Sequence, residues 1–271
     1  MSLHAPARAL FLVSCVLVSP ARPALAACDG TSPSAGAQTI EVDGARRLFV
    51  VRLPSSYDGR AAAPVVFAFH PFGMNAQYMQ TRVPVSRAWR EAIAVYPEGM
   101  GRDDTNRAPS WQGRSGELGD RDLKFFDAML AWLGEHACID RQRVFVIGYS
   151  NGAGLAYVLA CERGDTIAAV AIASGRLNCT PSRPTPVIIS HGTQDTTIPY
   201  TQAVAAARAW ATRNSCAAPP KTGTAGCYAA DGCSASPLTV CTYAGGHEYN
   251  APFTATAMDF FKNAPPHRET R

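Results

Sequence analysis

An α/β architecture, with a mostly parallel central sheet flanked by helices and no large lid, is what this sequence predicts. Three observations carry that reading. Short apolar runs of β character, at 64–69, 92–96, 143–147, 167–173 and 186–191, alternate with stretches of helical spacing. One of them, Arg143-Val144-Phe145-Val146-Ile147, runs directly into Gly148-Tyr149-Ser150-Asn151-Gly152 and then into a helix-forming stretch over 153–160. The 271 residues, 47% of them hydrophobic, can fill the core of one large domain, and no repeat or linker divides them.

The elements follow in order. Residues 38–53 read as a hairpin of edge strands turning at Asp43-Gly44. After the strand at 64–69 come a helix over 77–90 and a strand over 92–96. Asp120 stands where it can cap the next helix, in which Leu123, Phe126, Leu130 and Leu133 recur at helical spacing. The 143–147 strand and its helix are followed by a strand at 167–173, a strand at 186–191 and a helix at 200–213. A short β-like run at 238–243 and a helical stretch at 253–261 close the pattern. The aromatic residues on these elements read as core.

Gly-x-Ser-x-Gly on a sharp strand-to-helix turn is the nucleophile elbow of α/β-hydrolases. The turn strains the serine backbone, and the helix behind it aims free N–H groups at the reacting centre. Gly148 and Gly152 are expected because a Cβ at either position would collide with the neighbouring strand or helix.

A serine needs a general base, and the base needs an orienting acid, arranged in this fold in the chain order Ser, Asp or Glu, His. Three histidines follow Ser150: His191, His247 and His267. Asp195 lies just past the 186–191 strand, where an open α/β sheet keeps its functional groups. His191, at that strand's last position, reads as a hydrogen-bonded structural residue. His247 sits on the glycine loop Gly245-Gly246-His247 before the last helix, and His267 lies in a polar tail. Asp165 and Asp231 are rival acids, but neither follows a strong strand. Ser150, Asp195 and His247 are therefore the candidate triad.

An oxyanion hole needs two backbone N–H groups aimed at the developing negative charge. Asn151, after the nucleophile, supplies one. The loop His70-Pro71-Phe72-Gly73 supplies the other; Pro71 has no N–H, so Phe72 is the expected donor and Gly73 the second choice. His70 is expected to shape that loop.

Two irregular stretches border the site. Residues 97–119 are long for a loop and contain Trp111, which either stacks on a substrate ring or pins the loop. Trp111, Tyr149 and Tyr249 are the candidate substrate-binding residues. Residues 214–241 hold four cysteines and precede His247. The connection at 174–185 is short, which suggests an open cleft.

The N-terminus reads as a signal peptide over 1–26: Arg8, the apolar run 9–18, and Ala24-Leu25-Ala26 as a cleavage site. The run is too short to span a membrane. Losing Arg8 and Arg22 takes the formal net charge from +4 to +2, too weak for a nucleic-acid or anionic-membrane partner. A single catalytic domain over 27–263 and a flexible tail over 264–271 are expected, in a monomer. Leu25-Ala26-Ala27-Cys28 also fits a bacterial lipoprotein box.

Eight cysteines remain after cleavage: Cys28, Cys138, Cys161, Cys179, Cys216, Cys227, Cys233 and Cys241. An even number in an exported chain points to disulfides, with the connectivity open. A local reading pairs Cys227 with Cys233 and Cys216 with Cys241. A lipid on Cys28 would leave an odd number. The sequence has no Cys-x-x-Cys pair and no histidine pair on one helix face, so no metal is expected.

Taken together, Pro-Ser-Ser-Tyr-Asp (54–58), Phe-Ala-Phe-His (67–70), Tyr-Pro-Glu-Gly (96–99), Cys-Ile-Asp (138–140), Gly-Tyr-Ser-Asn-Gly (148–152), Leu-Ala-Cys-Glu (159–162), His-Gly-Thr-Gln-Asp (191–195) and Gly-Gly-His (245–247) are distinctive. With them the chain resembles the extracellular feruloyl esterase and polyhydroxybutyrate depolymerase family of α/β-hydrolases, from Cys28 to about Phe261. The resemblance implies hydrolysis of carboxylic esters through an acyl-enzyme, without a cofactor, by Ser150, Asp195 and His247. It also matches Cys28 to the family's first cysteine, which favours a disulfide over a lipid. Two departures stand out. Members usually have His-Gly where this chain has His70-Pro71, and many have Trp-Pro where it has Glu248-Tyr249. Expected substrates are hydroxycinnamoyl esters on plant-wall sugars, with polyhydroxybutyrate or an aromatic polyester as the alternative. An acyltransferase or a non-catalytic polymer-binding protein on the same fold are the readings of another class.

Overall fold

The sheet begins with an antiparallel hairpin, β1 (Gly36–Val42) and β2 (Ala45–Arg52), turning at Asp43-Gly44. Then come β3 (Ala63–Phe69), the short helices α1 (Ala76–Arg82) and α2 (Val85–Ala88), and β4 (Ile93–Pro97). Helix α3 (Arg121–His136) leads to β5 (Ile139–Tyr149), α4 (Asn151–Glu162) and β6 (Ala169–Ala173). The last part comprises β7 (Val187–Gly192), α5 (Thr201–Arg213), β8 (Gly226–Ala229), β9 (Leu238–Tyr243) and α6 (Phe253–Asn263). This computed structural model describes residues 28–30, 32–103, 105 and 107–267, with Met1; the expected signal peptide lies outside them except for that residue.

Among the described residues the strands form one sheet in the order β1-β2-β4-β3-β5-β6-β7-β9-β8. The run from β4 to β9 is parallel, and antiparallel strands guard both edges. Along β3, Val65, Phe67 and Phe69 face the layer of α3, α4 and α5, while Val66 and Ala68 face the layer of α1, α2 and α6. The chain steps from β3 to β4 on one side and crosses back to β5 on the other. The carboxyl ends of β3 and β5 therefore meet at a topological switch point, the place where open α/β sheets bind ligands.

Several elements differ from the sequence expectation. The helix expected over 77–90 breaks at Val83-Pro84, since proline excludes the helical conformation before it and offers no N–H. Tyr96 covers the break: its hydroxyl donates to Val83 O at 2.8 Å and accepts from Val85 N–H at 3.3 Å. Asp120 does not cap α3. Its backbone is left-handed (φ 58), and its carboxylate instead accepts from Gln112 Nε2 and Gly116 N–H, both at 2.8 Å. The cap comes from the preceding loop, where Gln112 Oε1 accepts the Asp122 and Leu123 N–H groups at 3.0 and 3.4 Å. Of the expected tail over 264–271 only residues 264–267 are described, and His267 N–H donates to Gln142 O at 2.8 Å.

Among the described residues four disulfides join Cys28 to Cys138, Cys161 to Cys179, Cys216 to Cys233 and Cys227 to Cys241. The two local pairs expected from the sequence are thus exchanged. The reason is β8, which carries no strong strand signal: it pairs antiparallel with β9 and sets Cys227 directly opposite Cys241. Cys216, just past α5, meets Cys233 beside the backbone bond from Ala217 N–H to Asp231 O. Replacing Cys227 and Cys241 together by serine should lower stability by about 3 kcal/mol, the loop-closure figure for a crosslink of this span. Denaturant unfolding of the double variant measures it, and a loss near zero would mean that β8 is not pinned through this bond.

Candidate active site

Ser150 sits at the end of β5 with φ 54 and ψ −115, a strained conformation held by its N–H bond to Ala173 O at 2.9 Å. The flanking glycines are required by close approach. A Cβ on Gly148 would overlap Gly152 O, and one on Gly152 would overlap the carbonyls of Phe69 and His70. The serine therefore stands at the switch point, between the ends of β3 and β5.

Asp195 and His247 meet because β7 and β9 are parallel neighbours and their loops continue the pairing. Thr193 N–H bonds Tyr243 O and Gln194 N–H bonds Gly245 O, both at 2.9 Å. Gly192 lies so close to the other loop that a Cβ there would overlap the carbonyls of Gly245 and Gly246. Ser150 Oγ is 2.8 Å from His247 Nε2, and His247 Nδ1 is 2.8 Å from Asp195 Oδ2. The Asp195 side chain is fully buried, and its other oxygen accepts from the Thr197 and Ile198 N–H groups at 2.9 and 2.8 Å. A carboxylate held this way accepts the Nδ1 proton, which leaves Nε2 as the acceptor facing Ser150.

His191 Nε2 donates to Ile198 O at 2.8 Å and lies 3.2 Å from Asp195 Oδ2. Burial pulls its pKa down, so it stays neutral and buttresses the loop, as expected of a structural residue. Tyr149 lies under His247, with ring centroids 5.8 Å apart, and its hydroxyl donates to His247 O at 3.1 Å. Burial pushes the Tyr149 phenol up to about 12, which keeps it protonated as that donor.

On the β3 side, Gly73 N–H is bonded to Pro109 O at 2.8 Å. Gly73, the second choice as oxyanion donor, is thus already bonded, whereas Asn151 N–H at the first helical position has no intrahelical acceptor. His70 shapes the loop, its Nδ1 donating to Pro71 O at 2.8 Å and its Nε2 accepting Gly99 N–H at 2.9 Å. Burial lowers its pKa to about 4. Between pH 6.5, where the unfolded chain takes up this proton, and about 4, the unfolded state binds more protons, so stability falls as pH falls through that window. The loss should total on the order of 3 kcal/mol. Denaturation midpoints against pH test this: His70→Gln, whose amide oxygen can accept the Gly99 bond without titrating, should show a shallower slope.

Trp111 is fully buried, so the expectation that it contacts substrate is corrected. Its Nε1–H donates to His70 O at 2.8 Å, and its ring packs on Phe69 and His70. It pins the loop. Tyr249 is likewise buried; its hydroxyl bonds Thr254 Oγ1 at 2.8 Å and its ring meets Tyr149 edge-on, so it supports Tyr149 rather than lining the cleft. Asn151 has a second role that sequence reasoning missed. Its side chain accepts Trp111 N–H at 2.8 Å and donates to Trp111 O at 3.1 Å, clasping the loop to the nucleophile turn.

A mostly parallel sheet with helices on both faces and a serine elbow at its carboxyl rim is the α/β-hydrolase fold. The model of the family described as esterase PHB depolymerase matches residues 49–209, and the chain belongs to that family. It is 29% identical over 236 residues to a probable feruloyl esterase C of Aspergillus clavatus, covering 81% of each chain. It is 28% identical to feruloyl esterase C of Emericella nidulans, over 80% of this chain and 83% of the relative. Among solved structures, an acetyl xylan esterase from Aspergillus awamori has a TM-score of 0.65 at 17% identity, over 83% of this chain and 98% of its own. A ferulic acid esterase from Anaeromyces mucronatus, solved with ferulic acid, has 0.58 at 18%, over 86% and 90%. At such identities these two speak for the fold. The protein is a carboxylic-ester hydrolase.

Proposed function

We propose that this protein is a secreted serine esterase that cleaves feruloyl and related hydroxycinnamoyl esters through an acyl-enzyme. The observation that carries the chemistry is the continuous contact from Ser150 through His247 to Asp195, two links of 2.8 Å each. His247 Nε2 takes the hydroxyl proton as Ser150 Oγ attacks the ester carbonyl, and Asp195 stabilises the imidazolium that forms. The oxyanion faces the N–H groups of Asn151 and Phe72. His247 returns the proton to the departing alcohol and leaves the acyl group on Ser150. Water then attacks with its proton passing to His247, the Ser150 oxygen regains a proton, and the carboxylic acid departs.

The names of the relatives support the feruloyl substrate. A second reading, hydrolysis of polyhydroxybutyrate or an aromatic polyester, is favoured by Phe72 and Met74. These large apolar side chains on the oxyanion loop are 50% and 43% exposed and could meet a polymer surface. Four disulfides support export to an oxidising compartment. The Cys28 sulfur bonded to Cys138 supports a free secreted form over a lipid anchor. Residues 27–263 would form the single catalytic domain, acting as a monomer. No helix among the described residues is long and apolar enough to cross a membrane.

Initial rates on methyl ferulate, 4-nitrophenyl esters of increasing chain length, polyhydroxybutyrate and an aromatic polyester rank the substrates. The highest kcat/KM is expected on methyl ferulate. Release of hydroxybutyrate oligomers with no turnover of methyl ferulate would replace it with the second reading.

A further inference from the structure

Beside the nucleophile turn lies a hollow of about 590 Å³ that the triad chemistry leaves unassigned. It opens between the loop that follows β4 and the loop that follows β6, and Asn151 forms part of its wall. Its rim carries Arg102, Arg114 and Arg176, with Asn178 between the loops. Among the described lining residues the one carboxylate is Glu117, which pairs with Arg102, accepts Gly113 N–H at 2.7 Å and also faces the charge of Arg114. Arg114 and Arg176 form no salt bridge with a carboxylate among the described residues. The described lining residues thus carry three guanidinium groups against one carboxylate, a formal excess of two positive charges. Both loops leave the carboxyl rim of the sheet that also presents Ser150. Arg176 stands three residues beyond Ala173, whose carbonyl fixes the Ser150 backbone.

We propose that this hollow is a subsite for a carboxylate carried by the ester substrate, with Arg114 and Arg176 as the recognising side chains. The inference rests on the hydrolase reading above. A guanidinium matches a carboxylate with two parallel hydrogen bonds, and Asn178 can donate another. A plain feruloyl or alkyl ester has no anion to place here. An ester of an acidic sugar has one on the alcohol side, and a hydroxyacid oligomer has one at its chain end. The shared chemistry is a carboxylate held a short distance from the scissile bond. The subsite would distinguish acidic esters from neutral esters of the same shape.

The test uses two matched pairs at low salt. Feruloyl glucuronic acid against feruloyl glucose places the charge on the alcohol side. 4-Nitrophenyl hydrogen glutarate against 4-nitrophenyl valerate places it on the acyl side. The readout is the ratio of kcat/KM for the acidic over the neutral member, so each protein is its own control for folding. In at least one pair the ratio should favour the acidic ester by about tenfold, mostly through KM, the size of one charge-assisted contact. That ratio should fall toward one at high salt and in the Arg114→Gln/Arg176→Gln double variant. The pair that responds identifies the side on which the charge is carried. Ratios at or below one in both pairs, or a preference that survives in the double variant, would overturn the subsite. Failure to hydrolyse any of the four esters would instead count against the hydrolase reading.

Discussion

Ser150→Ala should reduce kcat on an ester substrate by roughly a millionfold, the scale seen when a serine hydrolase loses its nucleophile. The variant should fold normally. Among the described residues the hydroxyl is bonded to His247 Nε2 alone, whereas the backbone bond from Ser150 N–H to Ala173 O and the glycine contacts around the turn are untouched. Ser150→Gly should be equally inactive and melt no lower than the parent, because glycine adopts a φ of 54 without the strain a side chain incurs there. His247→Ala should approach the same floor, and combining it with Ser150→Ala should add almost nothing, since nucleophile and base act as one unit. Steady-state kinetics with calorimetric melting of each variant measures both halves. A Ser150→Ala protein that keeps a tenth of its activity would mean that the nucleophile is another group.

Asp122→Ala should destabilise the protein by about 3–5 kcal/mol, the penalty for stranding one member of a buried ion pair. Arg47 and Asp122 are almost fully buried with Nη2 and Oδ1 2.9 Å apart, and the guanidinium carbon lies 4.0 Å from the centre of the Phe125 ring. Burial draws the Arg47 pKa down while Asp122 holds it up, so removing the carboxylate leaves a charge with neither water nor counter-ion. Asp122 Oδ2 also accepts Gln112 N–H at 2.7 Å, next to Trp111, so the loss reaches the oxyanion loop. The melting temperature should drop by roughly ten degrees for a chain of this size. Arg47→Met with Asp122→Leu, which removes both charges and fills the space, should recover most of the loss. A drop within one or two degrees for Asp122→Ala alone would show that the pair is hydrated.

The three residues proposed as the triad are legible because each sits at the end of a strand: Ser150 after β5, Asp195 after β7 and His247 after β9. Their partnership follows from the parallel order of strands that read clearly as apolar runs. What could not be read depended on groups distant in sequence. Asp120 precedes α3 and has the chemistry of a cap, yet the cap is supplied by Gln112, whose backbone is fixed by Asp122. Trp111 has a side chain suited to stacking, but its destination is set by Asn151 and His70, which lie 40 and 41 residues away. The cysteine pairs near His247 could not be chosen without β8, a short and mostly exposed strand with no hydrophobic alternation to reveal it. The break at Pro84 was a local signal that helical spacing over 77–90 overrode.

In the proposed reaction an acyl group passes onto one oxygen, that of Ser150, with help from one imidazole, that of His247. The most direct test is intact-protein and peptide mass spectrometry after treatment with an organophosphate that mimics the tetrahedral centre. One adduct per chain is expected, on Ser150, formed far more slowly in His247→Ala. A folded, ester-cleaving protein with Ser150 unmodified, or labelled equally fast without His247, would contradict it.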